Sequence, residues 1–71
     1  MDRPPATHYM LARVRRRLTQ AEVGALAGVD AATVSRVERG EPTSTETAAA
    51  IARALEMSAE ELGRAVAGEP A

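Results

Sequence analysis

The sequence contains no cysteine and no lysine, and Tyr9 is its only aromatic residue. Without cysteine the chain forms no disulfide and offers no thiolate ligand to zinc or an iron–sulfur cluster. Its apolar runs are only a few residues long, far below the roughly 20 that a membrane-spanning helix needs. The N-terminal Met-Asp-Arg-Pro-Pro also lacks the apolar segment of a signal peptide. We therefore expect a cytoplasmic protein without membrane association.

Length and composition favour one small helical domain. The chain has 71 residues, and a fold of this size buries only about 60% of the unfolded chain's surface, which makes a catalytic cleft or a second domain unexpected. Alanine accounts for 16 residues and favours helix. No run of β-branched or aromatic residues is typical of a strand. The sequence therefore predicts an all-α fold.

The charge is distributed unevenly along the chain. Residues 1–21 carry five arginines and one aspartate, whereas residues 41–71 carry six glutamates and two arginines, and the net charge is −1. The net charge argues against a nucleic-acid-binding protein, but all of the basic residues are arginines, whose planar guanidinium suits phosphate and guanine. A solvated helix face explains the arginines between positions 13 and 17 equally well.

Capping residues and glycines predict five helices. Side chains typical of helix N-termini, two of them in capping boxes, are Thr19 with Glu22, Asp30, Ser44, and Ser58 with Glu61. Gly28 and Gly40 stand where a helix ends with a residue of positive φ. The predicted helices cover residues 6–17, 20–27, 31–39, 45–55 and 59–66. We expect an N-terminal arm and helix start at residues 1–8, a compact orthogonal bundle at 9–66 and a frayed tail at 67–71.

The helical spacing of apolar residues predicts the core. The first helix has two stripes, which are Tyr9, Ala12, Arg13 and Arg16, and Leu11, Val14 and Leu18. Both stripes cannot be fully buried, so a partner surface is the alternative for some of Met10, Leu11 and Val14, although core packing is favoured. The inward positions of the later helices are Val23, Leu26, Ala27, Val34, Val37, Ala48, Ile51, Ala52 and Leu55, and Met57 fills the space between the last two helices.

Residues 19–40 have the sequence TQAEVGALAGVDAATVSRVERG, which predicts a helix, a three-residue turn with a glycine, and a second helix. Gly24 lies where the two helices cross, and only a small side chain allows their close approach. This run resembles the Cro and phage-repressor helix-turn-helix family, also called the XRE family. The resemblance continues through residues 46–47, 51–55 and 58–62. It implies a lambda-repressor-like bundle of five helices, with the helix-turn-helix formed by helices two and three.

The family resemblance implies a DNA-binding face on the third helix, which enters the major groove in this family. It implies that Gln20 contacts a phosphate and braces that helix. The positions that match base-facing residues of the family are Ala31, Ala32, Ser35 and Arg36, and those that match phosphate contacts are Thr33, Arg39, Thr43 and Ser44. Helical geometry independently places residues 31, 32, 35, 36 and 39 on one face, opposite Val34 and Val37. Among the base-facing positions, only Arg36 can make a bidentate contact with guanine.

Other positions match the scaffold of the family. Arg13 and Glu38 match a largely buried salt bridge between the first and third helices. The candidate dimer contacts are Ala59, Leu62, Arg64, Ala65 and Val66. Arg17 and Glu56 stand where the family often has glycine. We therefore expect the first helix to end differently or to be slightly strained, and the loop between helices four and five to be reshaped.

These observations predict a sequence-specific regulator of transcription that binds double-stranded DNA. We expect a repressor that binds a palindromic operator as a homodimer, in the nucleoid-associated pool of a bacterium or its phage. The alternative is an antitoxin or another protein-interaction module that binds a toxin or the transcription machinery. Loss of function in Leu11→Glu or Val14→Glu without unfolding, but not in Arg36→Ala, would favour that alternative. No catalytic residue, metal ligand, cofactor or small-molecule ligand is expected, and His8 stands alone.

Overall fold

The computed structural model describes residues 8–67, and within this range it contains five helices and no strand. The helices are α1 (His8–Arg15), α2 (Gln20–Ala27), α3 (Ala31–Glu38), α4 (Thr45–Ala54) and α5 (Ala59–Val66). The predicted all-α bundle is therefore confirmed. The predicted first two residues of helix one, most of the N-terminal arm and all but Ala67 of the tail lie outside the described residues.

The predicted N-caps form at four helices. Thr19 Oγ1 accepts from the backbone N–H of Glu22 at 3.0 Å, and the Glu22 carboxylate accepts from the backbone N–H of Thr19 at 2.8 Å. Ser58 and Glu61 form the same capping box at α5. Asp30 and Ser44 each accept from a backbone N–H three residues later. These local hydrogen bonds fix where α2, α3, α4 and α5 begin.

Hydrogen bonds at the caps also lower the pKa of two carboxyl groups. Hydrogen bonds from Thr33, its side chain first and its backbone second, lower the pKa of Asp30. The backbone N–H of Ser58 is the largest cause that lowers the pKa of Glu61. Both pKa shifts favour the ionised carboxylate, which is the form that the positive end of a helix dipole stabilises.

Four helices end in the same way, with a residue of positive φ and a hydrogen bond that spans five residues. The N–H to C=O pairs are Leu18 to Arg13, Val29 to Gly24, Glu41 to Arg36 and Met57 to Ala52. The positive-φ residues are Arg17, Gly28, Gly40 and Glu56. This pattern is the Schellman closure, which normally uses glycine. The predicted change of the loop before α5 is wrong, because Glu56 adopts the conformation that glycine would have, at φ 55°.

Three predicted helix ends are too late by one or two residues. α1 ends at Arg15 rather than at residue 17, because Arg17 is the left-handed residue of the closure, at φ 54°. α3 and α4 end one residue early, and Arg39 and Leu55 are their C-caps. The last residues of these three predicted helices therefore belong to the turns that close the helices.

The core lies between α2, α3 and α4, with α1 packed against α3 and α5. Its largest fully buried side chains are Val23, Val34, Ile51 and Leu55. The predicted burial of Tyr9, Ala12, Val37, Ala48 and Ala52 is also confirmed. Leu18, Ala27 and Met57 are partly buried against the core. No helix in residues 8–67 has the length and apolar character needed to cross a membrane.

Two apolar residues that the sequence places in the core are exposed, so these two predictions are wrong. Val14 is 54% exposed and Leu26 is 65% exposed. Val14 lies on the side of α1 opposite the buried Tyr9 and Ala12, since two residues correspond to about 200° of helical rotation. The buried face of α2 is centred between Val23 and Ala27, and Leu26 lies beyond its edge. Arg16, predicted in the packing stripe of α1, is likewise exposed.

Candidate nucleic-acid interface

α2 and α3 meet at a turn that leaves no room for a side chain at Gly24. A Cβ atom at Gly24 would lie 2.5 Å from the carbonyl oxygen of Val29 and 3.2 Å from the carbonyl carbon of Asp30. Both are backbone atoms of the turn that leads into α3. The carbonyl oxygen of Gly24 also accepts hydrogen bonds from the backbone N–H groups of Gly28 and Val29. Gly24 therefore sets how closely the start of α3 lies against α2.

α3 has one buried face and one accessible face. Val34 is 1% exposed and Val37 is 4% exposed, and both belong to the core. The accessible side carries the residues of α3 that are predicted to meet DNA. Three of them are exposed, namely Ala32, Arg36 and Arg39, and three are half-buried, namely Ala31, Thr33 and Ser35. The small side chains in this set leave the arginines as the longest groups on that face.

The two arginines of this face differ in how firmly they are held. Arg36 Nη2 donates one long hydrogen bond, 3.3 Å, to Thr33 Oγ1. Arg39 Nη1 donates to Ser35 Oγ at 2.8 Å, and its Nε donates to Glu41 Oε2 at 2.9 Å. Arg39 Nη2 lies 2.8 Å from the same Glu41 oxygen. Glu41 was predicted only as a loop residue, and its contact with Arg39 depends on the turn at Gly40, where φ is 81°.

The C-terminal end of α3 is tied to α1 and α2 through Glu38, which is 8% exposed. Arg13 Nε donates to Glu38 Oε2 at 2.6 Å, and Arg13 Nη2 donates to Glu38 Oε1 at 3.1 Å. Gln20 Nε2 also donates to Glu38 Oε1, at 3.1 Å. Arg13 Nη1 donates to the carbonyl oxygen of Leu18, and the hydrogen bond to Glu38 raises the pKa of Arg13. These contacts to α1 and α2 hold the orientation of α3.

The residues predicted to meet phosphate beyond α3 lie at the start of α4. Thr43 and Ser44 are both exposed. Ser44 Oγ accepts from the backbone N–H of Thr47 at 3.1 Å and lies 2.9 Å from Thr47 Oγ1. The Ser44 side chain thus caps α4, and the N-terminal N–H groups of α4 reach the surface at the same place. Such N–H groups favour an anion.

The five candidate dimer contacts do not share one surface. Leu62 and Ala65 are half-buried and pack against the core. Ala59, Arg64 and Val66 are exposed, and Arg64 Nη2 lies 2.9 Å from Glu60 Oε1. Val66, which is 66% exposed, lies one helical turn after Leu62, so the accessible apolar surface of α5 adjoins the side that packs against the core.

Arg15 and Arg16, at the end of α1, lie near the start of α5. The charges of Arg16 and Arg15 contribute to lowering the pKa of Glu61. Arg16 Nη1 also donates to the carbonyl oxygen of Ala12 at 3.0 Å.

His8, Asp and Glu residues do not cluster into a metal site in the part of the chain that the structure describes. His8 is half-buried, and its Nε2 atom is buried without a hydrogen-bond partner. A single imidazole is a weak basis for metal binding, since protein metal sites combine several such ligands.

Comparison with known proteins agrees with this geometry. The sequence model of a family described as helix-turn-helix matches residues 10–62, which is most of the chain. Neither the curated proteins nor the solved structures gave a match. The matched residues include the turn at Gly24, the accessible face of α3 and the Glu38 contacts. This chain belongs to the Cro/C1-type helix-turn-helix family, the XRE family of DNA-binding transcription regulators.

Proposed function

We propose that the protein is a sequence-specific repressor that binds a palindromic operator as a homodimer, with α3 in the major groove. The observation that carries the proposal is the division of α3 into a core face, with Val34 and Val37, and an accessible face with Arg36 and small neighbours. A helix with short side chains on one side approaches base edges closely, and one long arginine then reaches guanine O6 and N7. Family membership supports the DNA-binding part of this proposal.

A dimer follows from the charge and size of the domain. The net charge is −1 and the C-terminal part is acidic, so a single copy gains little non-specific attraction to phosphate. The domain measures 32 × 25 × 23 Å. Two adjacent copies of this width suit recognition helices about 34–36 Å apart, the spacing of half-sites one turn apart. Two-fold symmetry of the protein then requires an inverted repeat in the DNA.

Repression follows from occupancy. A dimer on an operator that overlaps a promoter excludes polymerase sterically, which needs no further domain or ligand. The side chains proposed to face bases are Ala31, Ala32, Ser35 and Arg36, and those proposed to meet phosphates are Gln20, Thr33, Thr43 and Ser44. Arg13 and Glu38 position α3 rather than contact DNA.

Arg36→Ala tests the base contact. In selection of bound fragments from a random duplex library at moderate salt, the wild-type chain is expected to enrich an inverted repeat that contains guanine. The variant is expected to lose that guanine preference. Its affinity is expected to fall about 10- to 100-fold, because one bidentate contact provides about 1–3 kcal/mol of discrimination. Arg53→Ala is the matched control, since Arg53 is an exposed arginine in the last turn of α4.

Two results would contradict base reading by α3. One is no enrichment by a wild-type chain whose helical circular-dichroism spectrum shows that it is folded. The other is an equal loss of affinity in Arg36→Ala and Arg53→Ala without a change in base preference, which would indicate attraction by charge alone. Enrichment of a single unrepeated site would contradict the dimer and leave the major-groove contact in place.

A protein-interaction module, such as an antitoxin, is the second candidate, and the exposure of Val14 favours it. Val14 is 54% exposed on α1, on the side away from the core. In a repression assay, we expect Val14→Glu and the uncharged Val14→Gln to keep wild-type activity, because the DNA contacts are on α3. Activity that is abolished by both Val14 variants and unaffected by Arg36→Ala would establish the partner-binding function instead.

A further inference from the structure

Arg39 is held by hydrogen bonds on both sides of its guanidinium. Nη1 donates to Ser35 Oγ at 2.8 Å, and Nε donates to Glu41 Oε2 at 2.9 Å, with Nη2 at 2.8 Å from the same oxygen. A guanidinium has N–H donors on all three nitrogens, one on Nε and two on each terminal nitrogen. These three contacts therefore leave one N–H on each terminal nitrogen of Arg39.

The contact with Ser35 determines which way the guanidinium faces. Ser35 lies one helical turn before Arg39, and residues four apart share a helix face. Both therefore belong to the accessible face of α3, which also carries Arg36. The head group of Arg39 consequently lies over the accessible face of α3. An arginine that served only the flanking DNA backbone would need no contact with this side of the helix.

Glu41 changes what Arg39 offers to DNA. The carboxylate largely cancels the charge of the guanidinium, and charge is what attraction to phosphate requires. Reading a base requires donors that point in a defined direction, and the contact with Glu41 holds the Arg39 guanidinium in one orientation. A side chain that is fixed before binding also loses less conformational entropy on binding than a mobile one. Arg36, with its one bond of 3.3 Å, lacks this preorganisation.

We propose that Arg39 reads a guanine at the edge of each half-site and that Glu41 is its positioning residue. The proposal rests on the proposed function, and it replaces the phosphate contact that the family resemblance implies for Arg39. The ligand chemistry is a pair of adjacent acceptors on one base edge, which guanine O6 and N7 provide in the major groove. The two remaining N–H groups of Arg39 supply the two donors.

The test compares Glu41→Gln with Glu56→Gln in selection from a random duplex library. Both variants remove one negative charge from an exposed loop position next to a helix end, but Glu56 lies in the loop before α5. Glu41→Gln is expected to lose the guanine preference at one outer position of the half-site, with the ratio of specific to unrelated-duplex affinity falling about tenfold. Its affinity for unrelated duplex is expected to stay equal or to rise. Glu56→Gln is expected to keep the wild-type preference.

Arg39→Met provides a second, independent readout. Methionine keeps an unbranched side chain but has no N–H donor, so the same outer guanine preference is expected to disappear. In the Arg39→Met background, Glu41→Gln is expected to change that preference no further, which is the signature of a coupled pair in a double-mutant cycle. A merely structural role of Glu41 predicts loss of stability in thermal unfolding and no position-specific change.

Three outcomes would overturn the inference. Tighter binding of Glu41→Gln to all duplexes with an unchanged base preference would show that Glu41 only repels phosphate. No difference between Glu41→Gln and wild type would show that the pair is inert in the complex. A guanine preference that survives Arg39→Met would assign that preference to another side chain. If the folded wild-type chain enriches no duplex, the proposed function fails and the inference fails with it, which distinguishes that case from these three.

Discussion

Replacing Glu38 with alanine is expected to lower the free energy of unfolding by about 3–5 kcal/mol, because it removes one partner of a buried ion pair. The Glu38 side chain is 5% exposed and that of Arg13 is 17% exposed. The substitution leaves the Arg13 guanidinium without its two carboxylate acceptors and Gln20 without its acceptor. Chemical denaturation followed by circular dichroism measures the change.

The exposed pair of Glu60 and Arg64 is the matched control. Its N···O distance is 2.9 Å, but the two side chains are 75% and 52% exposed. Glu60→Gln is expected to change stability by less than about 0.5 kcal/mol, because exposed i,i+4 pairs contribute little. A Glu38→Ala loss as small as that of the control would show that the buried pair is energetically equivalent to a surface pair.

A double replacement separates the contribution of the pair from the cost of breaking it. Arg13→Met with Glu38→Leu is expected to recover most of the stability that Glu38→Ala loses, since apolar side chains of similar volume replace buried ion pairs at little cost. DNA binding by the double variant then shows whether α3 keeps its position without the ion pair. If α3 keeps its orientation without the pair, selection recovers the wild-type operator.

The helix starts could be predicted from the sequence because they depend on short-range contacts. Thr19, Asp30, Ser44 and Ser58 each bind a backbone N–H three residues away, so the signal and its structural effect lie within one turn. The helix-turn-helix could be predicted for the same reason, from Gly24, Gly28 and the spacing between them.

Burial and side-chain partners were harder to predict because they depend on how the helices pack. Val14 and Leu26 fit a helical stripe in the sequence, but only the positions of the neighbouring helices decide which stripe is covered. The contact of Glu41 with Arg39 depends on the path of the chain through Gly40, at φ 81°. That path brings the carboxylate back beside the end of α3, which a count of positions along a helix does not reveal.

Gly24→Ala is expected to destabilise the fold by about 1–3 kcal/mol, as overpacking of a close contact does. The added Cβ would lie 2.5 Å from the carbonyl oxygen of Val29, a backbone atom that cannot move without moving the turn. Relief of the clash shifts the start of α3 away from α2. DNA affinity is therefore expected to fall further than the loss of folded protein explains, which a binding titration at a temperature where the variant is folded measures.

Gly63→Ala is the control that shows what an added methyl group does in a helix where it meets no clash. Both glycines are inside helices, and a Cβ atom at Gly63 meets nothing within 4 Å. Alanine at Gly63 is expected to stabilise the fold by about 0.5–1 kcal/mol, because glycine lowers helix stability by about that amount relative to alanine. The same gain applies at Gly24, so the clash must exceed it to produce a net loss. Equal stabilisation by both substitutions would show that the turn yields to a methyl group, and α3 would then not owe its position to Gly24.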